Sequence, residues 1–433
     1  MSVVLIISPD YSSHYLPLSA VGAALRRRGH DVVVATGRSL RSKVISDGFA
    51  HESLVLGPGN NPGLIRPELQ SVEERRQLEV FFEATKEGMV PALLHQARNR
   101  QRDLLFEPHR VAVDIEALLL RVATDAVVVD QLAFGATAAL RGLRQPFVSF
   151  HPGHPSAISV GWPYGYPPRI PRRIRVDRQG LVELKTTSTE VVARFTAEYN
   201  KAVAAIDPTV AAVDDAFAAV SPQRTLVNYP SRLGDDYGLP DHARYIGSSI
   251  RGQELPPGMR WAVGSRPRIY ASLGSFFSGR SDILRKLVAA FRTEPVELVL
   301  AAGVTPPSEL GAIPDHWTVA EYLPQPALIP TSDLVITHGG NNTVTEALTA
   351  GVPMLVGPLS TDQFSAAADI ESAGLGQVFD PNFDDAATIT ALAHDVLGSD
   401  AVAKAGELGQ ELRHRPGHEH AARLIEESMR EWN

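Results

Sequence analysis

The feature of this sequence that most constrains the fold is an alternation of buried strand and amphipathic helix that begins at residue 3. The run Val3–Ile7 is apolar throughout, which is typical of a strand covered on both faces of a parallel sheet. A polar loop is predicted over 8–14, and from Tyr15 apolar residues recur at helical spacing up to Leu25. A second strand is predicted at 32–35. Strand, helix and strand in so short a segment predict a right-handed βαβ unit.

The same alternation returns along the chain in two series. In the first half, further strands are predicted at 126–129, 145–150 and 225–228. The segment 238–257 is rich in glycine, proline and polar residues, and a second series follows it, with strands predicted at 268–272, 296–301, 334–337 and 354–356. The sequence therefore predicts an α/β protein of two doubly wound, Rossmann-like domains.

The length of the chain agrees with two domains. Its 433 residues exceed one ordinary hydrophobic core, since a domain usually has about 100–200 residues. We expect a first domain at 1–240, a linker at 241–257 and a second domain at 258–417. The last residues predict a helix over 418–432 with one apolar face, which we expect to pack back on the first domain.

Charge and composition exclude several classes of function. The chain has 41 Lys and Arg against 49 Asp and Glu, a net charge of −8, so we expect no nucleic-acid partner. It has no cysteine, which excludes disulfides, thiolate nucleophiles and cysteine-ligated metals. No apolar run approaches the about 18 residues of a transmembrane helix, and the first residues lack the basic flank of a signal peptide. We expect a cytoplasmic protein and leave open a homodimer.

The most informative motif follows the strand predicted at 334–337. The strand ends in His338, Gly339 and Gly340, and a helix is predicted to begin at about Asn342. Glycines let the backbone approach a ligand closely, and the free N–H groups at a helix start attract anions. Together with the side chains of His338, Asn342 and Thr343, these groups predict a phosphate site.

One carboxylate extends this motif along the helix. Glu346 lies four residues after Asn342 and three after Thr343, so the three side chains share one helix face. A phosphate at the helix start would leave Glu346 about 5.4 Å deeper, one turn along the axis. This offset matches the one between a diphosphate and the hydroxyls of its ribose. The alternative is a plain helix that ends at Gly351, but such a helix does not need the His-Gly-Gly run.

The stretch 322–363 resembles the nucleotide-sugar signature of family 1 glycosyltransferases with the GT-B fold, a group that includes plant UDP-glycosyltransferases. It looks most like the actinobacterial branch that glycosylates polyketides and other secondary metabolites. The resemblance covers nearly the whole chain and is looser in the first half. It implies two Rossmann-like domains that face each other across a cleft, with the acceptor on the first and the donor on the second. It further implies a dTDP- or UDP-sugar co-substrate, no other cofactor and no metal.

The resemblance also implies roles for residues on the donor side. Tyr322 matches the aromatic residue that stacks on the pyrimidine, and Gln325 the residue at the edge of the base. The diphosphate would be held by the motif at 338–343, with Thr343 where serine is common. Glu346 matches the carboxylate that binds the ribose hydroxyls.

The sugar pocket is implied by a second stretch of the same signature. Asp362 and Gln363 match the acidic residue and glutamine that bind sugar hydroxyls, and Ser275 matches a hydroxyl near the phosphates. The alternative for Asp362 is a cap of the helix that follows it. Ala366 departs from the family, which usually has asparagine there, so the shape of the sugar pocket is open.

The catalytic base is expected from the first domain. The family places a histidine in the loop after the first strand and a proline three residues later, as in His14 and Pro17. Histidine suits the removal of a proton from a hydroxyl near neutral pH, and a carboxylate on its other nitrogen stabilises the imidazolium. Asp130 lies where the family has this carboxylate. The alternatives are a solvated His14 and an Asp130 that caps the next helix.

The acceptor site has weaker signals. His151 and His154 follow a predicted strand, so they are candidates for the acceptor site and reserve candidates for the base. The segment 161–178 is rich in aromatic residues and proline and then carries five arginines, which predicts a long loop. Trp162 and Tyr164 in it favour a large apolar acceptor. The loop is interpreted as a wall of the acceptor pocket, as a contact for an anionic or membrane-bound partner, or as a solvated surface loop.

These observations favour an inverting glycosyltransferase that moves a sugar to a hydroxyl of a small natural product. A nicotinamide-dependent oxidoreductase is disfavoured because the loop after the first strand lacks the Gly-x-Gly-x-x-Gly fingerprint. A sugar epimerase with the same fold and a non-catalytic binding or helper protein are the alternatives. The donor base, the sugar, the acceptor and the choice between O- and N-linkage are open.

Overall fold

The computed structural model describes residues 2–64, 70–99, 105–218, 221–255 and 266–432. Its first half contains a parallel sheet of seven strands in the order β3-β2-β1-β4-β5-β6-β7. The strands are β1 Val3–Ile7, β2 Asp31–Thr36, β3 Ala50–Ser53, β4 Ala126–Asp130, β5 Val148–His151, β6 Arg224–Val227 and β7 Ala243–Tyr245.

The second half contains a parallel sheet of six strands in the order β10-β9-β8-β11-β12-β13. Its strands are β8 Arg268–Ser272, β9 Glu297–Ala301, β10 Thr318–Ala320, β11 Leu334–Thr337, β12 Met354–Val356 and β13 Gly376–Val378. Both sheets are doubly wound: the chain moves outward from the first strand to one edge and then returns to the other side of that strand. The two Rossmann-like domains predicted from the sequence are therefore present.

Helices cover both sheets. In the first half they are α1 Ser12–Arg27, α2 Arg41–Ser46, α3 Val72–Glu87, α4 Met89–Asn99, α5 Pro108–Val122, α6 Phe134–Gly142, α7 Arg178–Ile206 and α8 Ser231–Gly234. In the second half they are α9 Gly274–Phe277, α10 Ser281–Phe291, α11 Gln325–Leu328, α12 Asn341–Ala350, α13 Gln363–Ser372, α14 Ala386–Leu397, α15 Ala401–His414 and α16 Gly417–Trp432.

The strand order fixes where ligands can bind. In the first sheet the order reverses between β1 and β4, and in the second between β8 and β11. Ligands of open α/β sheets bind beyond the carboxyl ends of the strands at such reversal points. His14 follows β1 and Asp130 ends β4, while Ser275 follows β8 and His338 follows β11. The candidate residues of both domains therefore stand at the reversal points.

Two boundaries differ from the sequence prediction. The first sheet takes in Ala243–Tyr245, which extends the first domain into the segment 241–257 predicted as linker. Residues 256–257 of that segment and the predicted start of the second domain at 258 lie outside the described residues. In addition, α1 begins at Ser12 rather than Tyr15, so His14 lies in the first helical turn instead of a loop.

The strands that sequence patterning missed are short and polar. The edge strand Ala50–Ser53 contains no apolar run, and Thr318–Ala320, Gly376–Val378 and Ala243–Tyr245 have three residues each. Such strands obtain their stability from pairing with longer neighbours, so they leave little hydrophobic periodicity to detect.

The last helix crosses back to the first domain. Ala421, Ala422 and Ile425 of α16 lie in the same buried cluster as Leu18 and Val21 of α1. The exposed rim of this contact carries ion pairs, including one between Arg28 and Glu426 at 2.7 Å. In the described part of the chain, none of the helices combines the length and the apolar composition that a membrane crossing requires.

Candidate functional site

His14 and Asp130 form a hydrogen-bonded pair at the carboxyl ends of β1 and β4. His14 Nδ1 lies 2.9 Å from Asp130 Oδ2, and the histidine side chain keeps 18% of its exposure while the carboxylate has none. The other oxygen of Asp130 accepts the Leu132 N–H at 2.9 Å. The side chain of Asp130 does not cap α6, whose N-cap residue is Ala133. The alternative interpretation as a helix cap is therefore wrong.

Burial and the neighbouring Asp130 act in opposite directions on the pKa of His14. Burial lowers the pKa of the imidazole, but the adjacent Asp130 carboxylate and its hydrogen bond, with a smaller contribution from Asp362, outweigh this effect and hold the pKa of His14 above its ordinary value. An imidazole with a raised pKa is a stronger base once it is neutral.

His14 opens on a cavity of about 300 Å³ between the domains. The polar part of its lining includes His14, Gln131 and Asp362. The remaining wall is largely apolar and contains Leu132, Pro152, Ala157, Tyr164, Tyr166 and Pro167. The cavity therefore combines polar groups, His14 among them, with a wall suited to an apolar molecule.

The helix α12 presents its N-terminus to the cleft, as the motif predicts. Gly340 is its N-cap residue, and no side chain caps the helix there. A Cβ atom at Gly340 or at Gly274 would come within 2.6 Å of the His338 ring, so both glycines are needed for the imidazole to fit. Burial lowers the pKa of His338 to about 4, so it is a neutral hydrogen-bonding group at physiological pH.

Glu346 lies one turn deeper and is part of a small polar network. Gln325 Nε2 donates to Glu346 Oε2 at 2.6 Å and to Thr343 Oγ1 at 3.1 Å, while Gln325 Oε1 accepts from Tyr270 at 3.1 Å. Burial raises the pKa of Glu346 to about 7, and the hydrogen bond from Gln325 opposes this shift. Gln325 thus holds the Glu346 carboxylate and the Thr343 hydroxyl in place, and its expected contact with the edge of the base stays a prediction.

Two further donor-side residues adopt distinct positions. The Tyr322 ring is 66% exposed, which leaves a face for stacking. Ser275 lies in α9 directly after β8, and its hydroxyl is 3.3 Å from Asn61 Nδ2 of the first domain. Asn61 was not a candidate from the sequence, although the Asn61-Pro62 pair signals a turn. Its carbonyl accepts the Ser12 N–H at 2.8 Å and thereby completes the start of α1.

Asp362 and Gln363 follow β12 at the floor of the cleft. Asp362 occupies the N-cap position of α13 without a side-chain cap bond, so the helix-cap interpretation is wrong. Its Oδ2 accepts the His154 N–H from the other domain at 2.8 Å. The backbone N–H groups of Leu359 and Ser360 donate to the carboxamide oxygen of Gln363, so this side chain stabilises the loop that precedes α13.

The two reserve histidines are engaged by the protein itself. The ring nitrogens of His151 face Gln131 Oε1 and the His154 carbonyl, the latter at 2.9 Å. His154 is fully buried, with Nε2 3.0 Å from Asp369 and Nδ1 bonded to Ser156. His151 lines the cavity, but neither imidazole has a free nitrogen for an acceptor proton. The assignment of His154 to the acceptor site is therefore wrong, because this side chain joins the two domains.

The aromatic residues of the segment 161–178 differ in whether they line the cavity. The Tyr164 ring lines the cavity and stacks on Phe217 with centroids 4.1 Å apart. Trp162 instead stacks outside on Tyr166 at 5.6 Å and carries the Lys185 ammonium over its ring at 4.8 Å. Tyr166 thus takes the position in the cavity wall that we expected of Trp162.

The arginine-rich part of this loop binds the second domain. Arg169 pairs with Asp369 of α13 at 3.0 Å, and Arg173 pairs with Asp384 at 2.7 Å. The Arg172 N–H also donates to Glu371 at 3.1 Å. Arg169 and Arg173 therefore pair with carboxylates of the same chain, which joins the loop to the second domain.

The start of α12 is also attached to the first domain. Asn341, the first residue of the helix, donates through Nδ2 to the carbonyls of Pro152 at 2.6 Å and Asn228 at 3.0 Å. Asn342 Nδ2 donates to the Ser13 carbonyl at 2.8 Å. Ser13 precedes His14, so the predicted anion site and the predicted base are joined by one hydrogen bond. Within the described ranges, no group of three His, Asp or Glu residues could hold a metal.

Comparison with protein families gives a match over residues 285–427, to the C-terminal domain of erythromycin biosynthesis protein CIII-like proteins. Among curated proteins, the zeaxanthin glucosyltransferase of Pseudescherichia vulneris is 26% identical over 446 aligned positions, which cover 99% of this chain and 98% of that protein. The similarity therefore extends through both domains.

Solved structures show the same architecture. The glycosyltransferase of kitacinnamycin superposes with a TM-score of 0.70 at 21% identity and covers 99% of both chains. A spinosyn rhamnosyltransferase complexed with thymidine diphosphate superposes with a TM-score of 0.66 at 18% identity, over 98% of this chain and all of that chain. At these identities the likeness establishes a shared fold.

Proposed function

We propose that this chain, a glycosyltransferase homologue with the GT-B fold and an EryCIII-like C-terminal domain, inverts the anomeric centre of a nucleoside-diphosphate sugar as it transfers the sugar to a hydroxyl of a small apolar natural product. The observation that carries the proposal is the His14–Asp130 pair at 2.9 Å, which opens on the cavity that also contains Asp362. The proposed base His14 and Asp362, a residue predicted to bind the sugar, thus line the same cavity.

On the acceptor side, His14 is the general base. Its Nδ1 is held by Asp130, so Nε2 is the nitrogen that takes the proton of the acceptor hydroxyl. The hydroxyl oxygen attacks the anomeric carbon as the bond to the diphosphate breaks on the opposite face. An α-linked donor therefore gives a β-linked product. The imidazolium that forms is stabilised by the Asp130 carboxylate.

On the donor side, the negative charge that develops on the diphosphate is taken up by the N–H groups at the start of α12. His338, Asn342 and Thr343 add side-chain donors, and Glu346 receives the ribose hydroxyls. Such preorganised donors perform the task that a divalent cation has in other transferases, so we propose a reaction without a metal. The exposed Tyr322 ring supplies a stacking face for the base.

The acceptor follows from the lining of the cavity. Tyr164, Tyr166 and Leu132 present apolar surface, and His14 is one of the polar groups of the lining. An apolar molecule with a hydroxyl that reaches His14 fits this lining. The curated relative that spans the whole chain is named for zeaxanthin, and the EryCIII-like match is named for erythromycin biosynthesis. Both names support a natural-product acceptor.

The test is a donor and acceptor screen with the purified protein. dTDP- and UDP-sugars are incubated with hydroxylated polyenes, macrolide aglycones and polyketide phenols, and nucleoside diphosphate release and the configuration of the product are measured. We expect release that depends on the acceptor and a product of inverted configuration. Isomerised donor or free sugar without an acceptor would indicate an epimerase, and nucleotide binding without release would indicate a binding protein.

A further inference from the structure

Pro17 occupies an unusual place in the helix that carries the base. It lies inside α1, beyond the first turn, and its ring is buried. Proline is favoured at the first helical position, but in a helix interior it removes one hydrogen bond and its ring pushes against the carbonyl of residue i−4. Residue i−4 of Pro17 is Ser13, the neighbour of His14.

The Ser13 carbonyl has a partner from the other domain. With no N–H at position 17, the usual helical donor to this oxygen is missing, and Asn342 Nδ2 donates to it at 2.8 Å. The proline also has an anchor of its own, because its carbonyl accepts the Ser249 hydroxyl at 2.9 Å. Pro17 therefore leaves the Ser13 oxygen to a donor from across the cleft.

Asn342 can serve two acceptors at once. The carboxamide nitrogen of Asn342 carries two N–H groups. One can donate to the Ser13 carbonyl while the other donates to an oxygen of a diphosphate bound at the start of α12. The same side chain thus contacts both the turn that carries His14 and the predicted diphosphate position.

We propose that Pro17 is a positioning residue: by keeping the Ser13 carbonyl for Asn342, it couples the occupancy of the diphosphate site to the placement of His14. This inference rests on the proposed function, because it assumes that the diphosphate binds at α12 and that His14 is the base. Proline thereby contributes to turnover without a contact to either substrate.

The kinetic test uses Pro17→Ala, Asn342→Ala and the double variant. Alanine at 17 restores an N–H that competes for the Ser13 carbonyl, so kcat should fall about tenfold, near the upper end of a net hydrogen-bond contribution, while KM for the donor changes less. In the Asn342→Ala background, Pro17→Ala should cause no further loss, since the bond is already absent. An unchanged kcat in Pro17→Ala, or losses that multiply in the double variant, would overturn the inference.

A matched control comes from another helix. Pro108 is in the first turn of α5, where the backbone N–H has no helical acceptor to lose. Pro108→Ala should therefore keep wild-type kinetics. Alanine favours the helix more than proline does, but the substitution also removes buried carbon atoms. Melting temperatures therefore establish that Pro17→Ala is folded at the assay temperature, so that a fall in kcat is not a loss of folded protein.

A measurement without turnover separates this inference from the proposed function. Hydrogen exchange is followed with and without dTDP or UDP. In the wild type the nucleotide should slow exchange in both 341–350 and the first turn of α1, and in Pro17→Ala only in 341–350. If the wild type shows slowing in 341–350 alone, the coupling is refuted and the donor site stands. If 341–350 is not slowed, the proposed donor site itself fails.

Discussion

Two histidine–carboxylate pairs of nearly equal length border the cleft, and they have different surroundings. His14 lies 2.9 Å from Asp130, and the imidazole lines the cavity. His154 lies 3.0 Å from Asp369, and both side chains are buried. In the first pair, the described residues provide no hydrogen bond to Nε2 of the imidazole. In the second, both ring nitrogens are bonded.

The carboxylates differ in the same way. Asp130 accepts one backbone N–H besides the imidazole, whereas Asp369 also accepts from Arg169, Tyr229 and Tyr237. Burial, followed by the negative charge of Asp369, raises the pKa of both tyrosines, which keeps them protonated as donors. A histidine–carboxylate pair can act on a ligand only where one nitrogen is left for it. The second pair instead stabilises the contact between the domains.

The largest effect that separates the two pairs is expected from His14→Ala. Loss of the base should reduce kcat by about 10²–10⁴, the usual contribution of general acid–base catalysis, with little change in melting temperature. The matched control is His394→Ala, which removes an exposed histidine paired with Glu294 at 2.9 Å far from the cavity and should keep full turnover. Full turnover in His14→Ala would exclude this residue as the base.

The next largest effect is expected from Asp130→Asn. Turnover of Asp130→Asn should be about 10–100-fold lower than that of the wild type. This is the loss usually caused by removal of a carboxylate that orients a metal-bound histidine. The pH profile gives a sharper readout. Because Asp130 holds the pKa of His14 above its ordinary value, and the base acts when neutral, wild-type kcat/KM should rise with pH through a pKa above about 6.5.

In Asp130→Asn the acid limb of this profile should move to lower pH, since burial then acts on His14 without the carboxylate. The pH dependence of kcat/KM over pH 5–9 checks both statements. An acid limb that stays in place in the variant would show that another group titrates.

A smaller effect, on binding, is expected from Glu346→Gln. A carboxylate accepts hydrogen bonds from a ribose better than an amide does, so nucleotide affinity should fall about tenfold or more, the value of a hydrogen bond to a charged group. Because the pKa of Glu346 is about 7 in the free protein, wild-type affinity should weaken as pH falls below 7, and the variant should lose this dependence.

Calorimetry of dTDP and UDP binding at pH 6 and pH 8 measures this effect. Glu407→Gln, an exposed position on α15, is the matched control and should bind like the wild type. Unchanged affinity in Glu346→Gln would remove the ribose assignment and leave the diphosphate assignment intact.

The smallest effect on turnover is expected from Asp369→Asn, although its effect on stability is large. The variant leaves buried donors of the first domain, His154 and Tyr229 among them, poorly paired, so the free energy of unfolding should fall by about 3–5 kcal/mol. Turnover of the folded protein should change little, because Asp369 does not line the cavity. Denaturant unfolding and kcat are measured beside Asp395→Asn, an exposed control on α14. A loss of kcat as large as that of His14→Ala would contradict the distinction between the pairs.

The sequence predicted the two sheets and the helix that begins after the His338 motif well, because their signals are local. The motif around His338 lies where one strand ends and one helix begins, so the hydrophobic periodicity of these two elements predicts its geometry. The pairing of His14 with Asp130 could also be expected across 116 positions, since His14 follows β1, Asp130 ends β4, and these two strands are parallel neighbours.

What the sequence could not predict depends on contacts between distant segments. The partner of His154 is Asp369, 215 positions away on the other domain, and no local pattern indicates it. Likewise, nothing in the sequence of the loop indicates that Arg173 pairs with Asp384. The bond of Gln325 to Glu346 could not be predicted for a related reason, because it depends on how α11 packs beside α12.

The most direct test of the account is a crystal structure with a non-transferable analogue of a dTDP- or UDP-sugar. We expect its diphosphate against the first N–H groups of α12, its ribose on Glu346, and its anomeric carbon turned toward His14. A diphosphate bound away from α12, or an anomeric carbon that faces away from His14, would contradict the account.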